Sequence, residues 1–286
     1  MAHHWESCAS ACTLSRDSHP GDGFSDCRRA GPYAGLVHEL TTNFVGRLRS
    51  RDPDAWFELW ETFGPILRAQ LARWGRGRIG AETVQDLSQE TLTALAGAID
   101  RHDPSKGAKF STWLLAIAKY TLSDEMDRRN ALKRGAGKKP LSLSAGEEDD
   151  RDLDVEGGPR PDAEYEAAVF EAKVDAALRQ VEREAGFADF EVYRQRVLEG
   201  RNGREVGEAL GTSEATISRK AARVRSLLRQ ALEEVFGRYA FSDEDWDELQ
   251  RNGLEPSPKN TQDAAFDAAV GEIWLRAVRR RRAGPG

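Results

Sequence analysis

With 286 residues, 39% of them hydrophobic and 31% charged, the chain can bury one large core or two small ones and reads as a soluble protein. Its longest apolar runs, such as residues 113–118, fall far short of the roughly 20 residues that span a bilayer. Residues 1–7 lack the apolar stretch of a signal peptide, so a cytoplasmic protein with no membrane partner is expected. Three cysteines, Cys8, Cys12 and Cys27, argue against a disulfide framework. The net charge of −6 speaks against nucleic acid until its distribution is read. Residues 106–139 hold nine basic side chains against three acidic ones, a net of +6, whereas residues 147–166 hold two basic against ten acidic, a net of −8. Screening confines each field to about 8 Å at physiological salt, so the basic block can meet phosphates on its own.

Residues 1–42 are rich in Ser, Gly, His and Cys, show no helical period, and read as a disordered tail. Helix begins at Asp52, which can cap free backbone N–H groups, with Pro53 suited to the first turn. Trp56, Leu59, Trp60, Phe63, Leu67, Leu71 and Trp74 then recur at three- and four-residue steps. A second helix is predicted from about Glu82 to Ile99, a turn at 103–107, and a third helix from Phe110 to about Leu132. Gly, Pro, Ser and acids dominate residues 138–165, which read as a flexible acidic linker. Helical pattern resumes at about Asp162 and runs to about Arg238, broken at 199–203. A helical extension over 239–286 follows, with Ser242 as a cap and Phe266, Val270, Ile273 and Trp274 on one face of its last helix. With no alternating strand pattern, the fold class is all-α: a bundle over 43–137 and a second helical domain over 166–238.

The most specific local pattern lies in that second domain. A helix-turn-helix needs a small residue at the crossing (Gly207), a glycine in the turn (Gly211), and apolar contacts between its helices (Val206, Leu210, Ile217). Ser213 is a good N-cap for the second helix. On that helix Ile217, Ala221, Val224, Leu228 and Ala231 share one face. Thr216, Arg219, Lys220 and Arg223 cluster roughly 100° to 120° away, a basic, hydroxyl-bearing face suited to a major groove. A solvated basic face on an ordinary surface helix is the competing reading.

The segments 194–200 and 221–229 around this element resemble the −35-binding domain of bacterial RNA polymerase sigma factors. In the first half, residues 85–91 (QDLSQET), 110–119 (FSTWLLAIAK) and 123–129 (SDEMDRR) resemble the second conserved region of the same family, in order and spacing. Two such regions with no third domain between them place the resemblance with the extracytoplasmic-function type. The resemblance implies a non-enzymatic subunit, without cofactor or metal, that joins core RNA polymerase through the β′ clamp and β subunit. It would direct transcription initiation by recognising and melting promoter DNA, with an anti-sigma protein as a further partner.

By the same resemblance, Asp86, Leu87, Gln89 and Glu90 match the helix that docks on the β′ coiled-coil. Alone, Asp86 and Glu90 could equally be a solvated acidic face. Trp113, Lys119, Tyr120, Arg128 and Arg129 match the −10 contacts, where an aromatic ring can stack an extruded base for about 1–3 kcal/mol. Phe110 matches too, but as a core residue first. Thr216, Ser218, Arg219, Lys220 and Arg223 match the −35 contacts. Primary sigma factors carry a tryptophan pair where this chain has Ala116 and Ile117, which implies weaker melting and stricter promoter choice. Promoter elements about 17 base pairs apart lie roughly 58 Å apart. A coil of about 25 residues averages only around 27 Å yet extends to about 80 Å, so the linker must be held stretched and the free chain should bind promoters poorly.

Two other classes compete. A helix-turn-helix regulator that never joins polymerase leaves residues 86–129 unexplained. An enzyme using Asp86, Glu90 and Asp124 lacks a convergent nucleophile or histidine. His4, His19 and the cysteines fit no tight zinc spacing.

Overall fold

The computed structural model describes residues 43–100, 109–135, 162–239, 244–254 and 263–283. The tail cysteines and histidines, the 103–107 turn, the acidic residues 138–161 and Ser242 lie outside them. Among the described residues there is no strand, and the expected all-α class holds.

Helix α1 (43–49) leads into α2 (Pro53–Gly75), capped as expected by the Asp52 carboxylate, which accepts the Asp54 N–H at 3.0 Å. Then come α3 (Ala81–Ala98) and α4 (Phe110–Gly135). Leu59, Phe63, Leu67 and Leu71 of α2, Leu87 and Leu95 of α3, and Phe110, Leu114 and Ile117 of α4 are all buried, which makes these helices one bundle. Trp56, Trp60 and Trp74 sit half-buried at its margin, Trp60 beneath the Arg68 guanidinium at 4.8 Å.

The second group opens with α5 (Ala163–Glu184), which begins inside the stretch read as linker because Asp162 caps it, accepting from the Tyr165 N–H at 2.9 Å. It continues through α6 (Phe187–Tyr193), a π turn over Arg194–Leu198, α7 (Gly203–Leu210), α8 (Glu214–Tyr239), α9 (Glu244–Arg251) and α10 (Asp263–Ala283). Gly186, at φ 78°, turns the chain from α5 into α6, a conformation that favours glycine.

These two groups share one buried core within a single compact unit. The last residue of α8, Tyr239, is 1% exposed and inserts into the first bundle, 5.1 Å from the Phe44 ring and 4.9 Å from the Phe63 ring, both edge-on. Phe110 lies 6.1 Å from it. Around this plug, Arg238 pairs with Glu58, Arg73 with Asp162 and Glu164, and the Tyr165 hydroxyl donates to the Ser111 carbonyl at 2.8 Å. The driving force is apolar burial, since aromatic pairs of this geometry add about 0.5–1.5 kcal/mol beyond their area.

Candidate nucleic-acid interface

Three surfaces follow from this frame. The first is a shallow groove between α3 and α4. Asp86, Gln89 and Glu90 are exposed along one wall, as a docking face requires. Leu87, expected beside them as an apolar anchor, is 1% exposed and belongs to the core, because α3 turns that position inward with Val84 and Leu95. Arg128 and Arg129 form the opposite wall. Both hold the carboxylate of Glu125, itself 6% exposed, at 2.5 Å. Arg129 also donates to the Arg78 carbonyl at 2.9 Å and the Thr83 hydroxyl at 2.8 Å, which ties α4 to the entry of α3. The Arg129 guanidinium, then that of Arg128, keeps the Glu125 carboxyl below its ordinary range. Arg129 thus clamps the bundle through Nε, Nη1 and Nη2, while its side chain still borders the groove.

The second surface is the outer side of α4. Lys119 and Tyr120 are exposed, the latter 41%, with the Lys119 ammonium 5.0 Å over the Trp74 ring. Trp113 is 4% exposed and packs edge-on to Phe110 at 5.9 Å, so in this conformation it offers no face to a base. Ala116 and Ile117 are equally buried, at 2% each. The five residues matched to the −10 element are therefore not brought together. Two are outward, one is core, and two face the α3 groove.

The third surface is the helix-turn-helix, α7 and the start of α8. Asn202 caps α7, and Gly211, at φ 63°, ends it in the left-handed turn foreseen. A Cβ on Gly207 would meet the Thr212 carbonyl oxygen at 2.8 Å, so smallness is needed against the turn backbone. The Ser213 hydroxyl accepts from the Thr216 N–H at 3.3 Å, the expected cap. Val206 and Ile217 join the helices, but the third partner is Val192 of α6. Leu210, expected in that contact, is 40% exposed at the end of its short helix.

On α8, Thr216, Arg219, Lys220 and Arg223 share a stripe. Arg219 donates to the Thr216 hydroxyl at 3.3 Å, and Asp189 of α6 takes Lys220 at 3.1 Å and Arg223 at 3.4 Å. Ser218 stands apart, roughly 200° from Thr216 at 100° per residue, bordering a cleft against α10 that is also lined by Arg225, Asp263 and Asp267. Asp189 and the α10 acids are the residues that sequence reasoning did not find. Their partners lie 31 to 42 positions away, where no local pattern points.

The described residues thus present a mixed-charge groove on the first bundle and two short-linked helices, α7 and α8, with a basic stripe in the second group. In a comparison with known families, residues 59–131, which span most of α2, all of α3 and most of α4, match Sigma-70 region 2. The match covers 73 of the 286 residues, so the likeness to Sigma-70 region 2 is one of this bundle. No curated protein matches the chain. No helix among the described residues is long and apolar enough to cross a membrane.

Proposed function

We propose that the chain is a cytoplasmic sigma factor of the extracytoplasmic-function type. It docks on the β′ clamp of core polymerase through Asp86, Gln89 and Glu90. It reads the −35 element with Thr216, Arg219, Lys220 and Arg223 and meets the −10 element through α4. The observation that carries this reading is that the family match falls on the bundle whose α3–α4 groove presents the three polar docking residues. A helix-turn-helix with an outward basic stripe in the same chain supports it, since a regulator that never joins polymerase has no use for that groove.

The shared core adds a condition. With Tyr239 seated among Phe44, Phe63 and Phe110 and Trp113 covered, the two halves are packed on one core rather than held apart across the roughly 58 Å between promoter elements. Polymerase must therefore separate the halves, and the isolated chain should bind promoters weakly. Run-off transcription with core enzyme tests the reading. Arg219→Ala with Arg223→Ala should abolish promoter-specific transcripts while core binding persists, and Asp86→Ala with Glu90→Ala should abolish core binding. A wild-type chain that neither co-purifies with core enzyme nor yields specific transcripts overturns it in favour of a free-standing regulator.

A further inference from the structure

Helix α10 lies outside both the matched segment and the helix-turn-helix, yet it is bound to the second half at both ends. Its first turns present Asp263 and Asp267, which receive Arg225 at 3.0 and 2.5 Å and Arg229 at 2.9 Å. Its last turns present Arg276 and Arg280 to the buried Glu171, at 3.4 and 3.1 Å, and Arg281 to Asp175 at 3.1 Å. Phe266, Val270 and Ile273 are buried between these ends, and Gly271 lies so close to the π turn that a Cβ would meet the Val197 carbonyl oxygen at 2.9 Å. The helix is a fixed part of the DNA-binding half.

Fixation accounts for Arg276, Arg280 and Arg281 but not for Arg279 and Arg282. Both are exposed, and neither makes a hydrogen bond or ion pair among the described residues. At 100° per residue they share the outward face with Leu275, which is 42% exposed. The four positions 279–282 contain no acid, and among the described residues no carboxylate pairs with Arg279 or Arg282, while Glu272, two turns earlier on this face, pairs with Arg276.

We propose that Arg279 and Arg282 form a phosphate-binding stripe that grips duplex DNA beside the segment read by α8. It rests on the reading of the chain as a DNA-binding factor. Two features favour a nucleic-acid backbone over a protein. Guanidinium groups pair well with phosphate oxygens, and the apolar surface of this face, exposed Leu275 beside half-buried Val278, is small against the apolar centre that protein interfaces are built around. Position fits as well. From Asp267, which touches the recognition helix, to Arg282 the helix rises about 23 Å, or roughly seven base-pair steps. The stripe would therefore touch flanking duplex and carry no sequence preference.

The test is fluorescence anisotropy of the full-length chain on a labelled 30-base-pair duplex of random sequence, across a salt series. Arg279→Gln with Arg282→Gln should weaken binding about ten-fold at low salt and flatten the slope of log affinity against log salt by about 2, the loss of two phosphate contacts. Arg183→Gln with Arg251→Gln, which removes the same charge from exposed sites elsewhere, should leave the slope unchanged. Equal effects of the two pairs overturn the proposal, as does an unchanged slope with a lowered melting temperature, which would mean that the arginines serve only the helix dipole. Unchanged duplex binding with weakened core-polymerase binding also overturns it, in favour of a protein-docking face. If the wild-type chain binds no duplex at any salt, the stripe proposal is overturned, whereas the sigma reading, which expects weak binding by the free chain, is decided separately by run-off transcription with core enzyme.

Discussion

Tyr239 belongs by sequence to α8 but by packing to the first bundle. Replacing it with alanine removes a ring that is 1% exposed and contacts Phe44, Phe63 and Phe110. Truncating a buried aromatic costs about 3–5 kcal/mol. Part of that is offset here, because the Tyr239 and Thr62 hydroxyls are buried without well-formed hydrogen bonds, and an unsatisfied group carries a penalty of about 1 kcal/mol or more. The net expectation for Tyr239→Ala is a loss of about 2–4 kcal/mol, whereas Tyr239→Phe keeps the ring and should be neutral or stabilising by up to about 1 kcal/mol. Urea denaturation gives the free energies, and amide hydrogen exchange locates the damage. In the alanine variant, protection should fall in α2 and α4 as well as in α8, and small-angle scattering should show an expanded particle. Loss of protection confined to the end of α8, with α2 and α4 unchanged, would refute the claim that the two halves share a core. A phenylalanine variant as damaged as the alanine one would refute the account of the hydroxyl.

Gly207→Ala places a Cβ 2.8 Å from the Thr212 carbonyl oxygen and should cost about 1–3 kcal/mol and lower duplex affinity, both measurable by melting and anisotropy. Burial pushes the phenols of Tyr165, Tyr193 and Tyr239 above their usual range. Their contribution is therefore complete below the unfolded value of about 10 and is lost as pH rises towards the folded values. Absorbance at the phenolate band should show these three ionising together with alkaline unfolding. Glu125 titrates in the opposite sense. Its carboxyl is held low by Arg129 and Arg128, so the stability it adds is present above its unfolded value and lost as pH falls through the folded one. Glu125→Gln should remove that part of the acid transition, and an identical acid profile would count against the clamp.

The helices were legible because periodicity, caps and turn glycines are local. Asp52, Ser213 and Gly211 each act within four residues of their place in the chain. The candidate site was only partly legible. A basic residue such as Arg129 looks the same in sequence whether it faces phosphate or reaches 46 positions back to Thr83. Leu87 and Trp113 are matched to contacts only by resemblance, and their exposure depends on which faces the other helices cover. The packing of Tyr239 into the first bundle had no local signature at all, since its partners lie more than 125 positions earlier.

Asp189 has a further consequence. It holds Lys220 and Arg223 at once, so if α8 reads DNA as proposed, this carboxylate stands where a phosphate would be taken. Every duplex, matched or not, must displace the same carboxylate, so it acts as an internal competitor that lowers backbone attraction uniformly. What survives the competition is the part of binding that depends on base identity. A genome offers vastly more wrong sites than right ones, so the ratio of right to wrong binding matters more than strength. On that measure a uniform penalty cancels: on the proposed reading the carboxylate weakens the grip on all DNA and leaves the ratio of right to wrong binding unchanged.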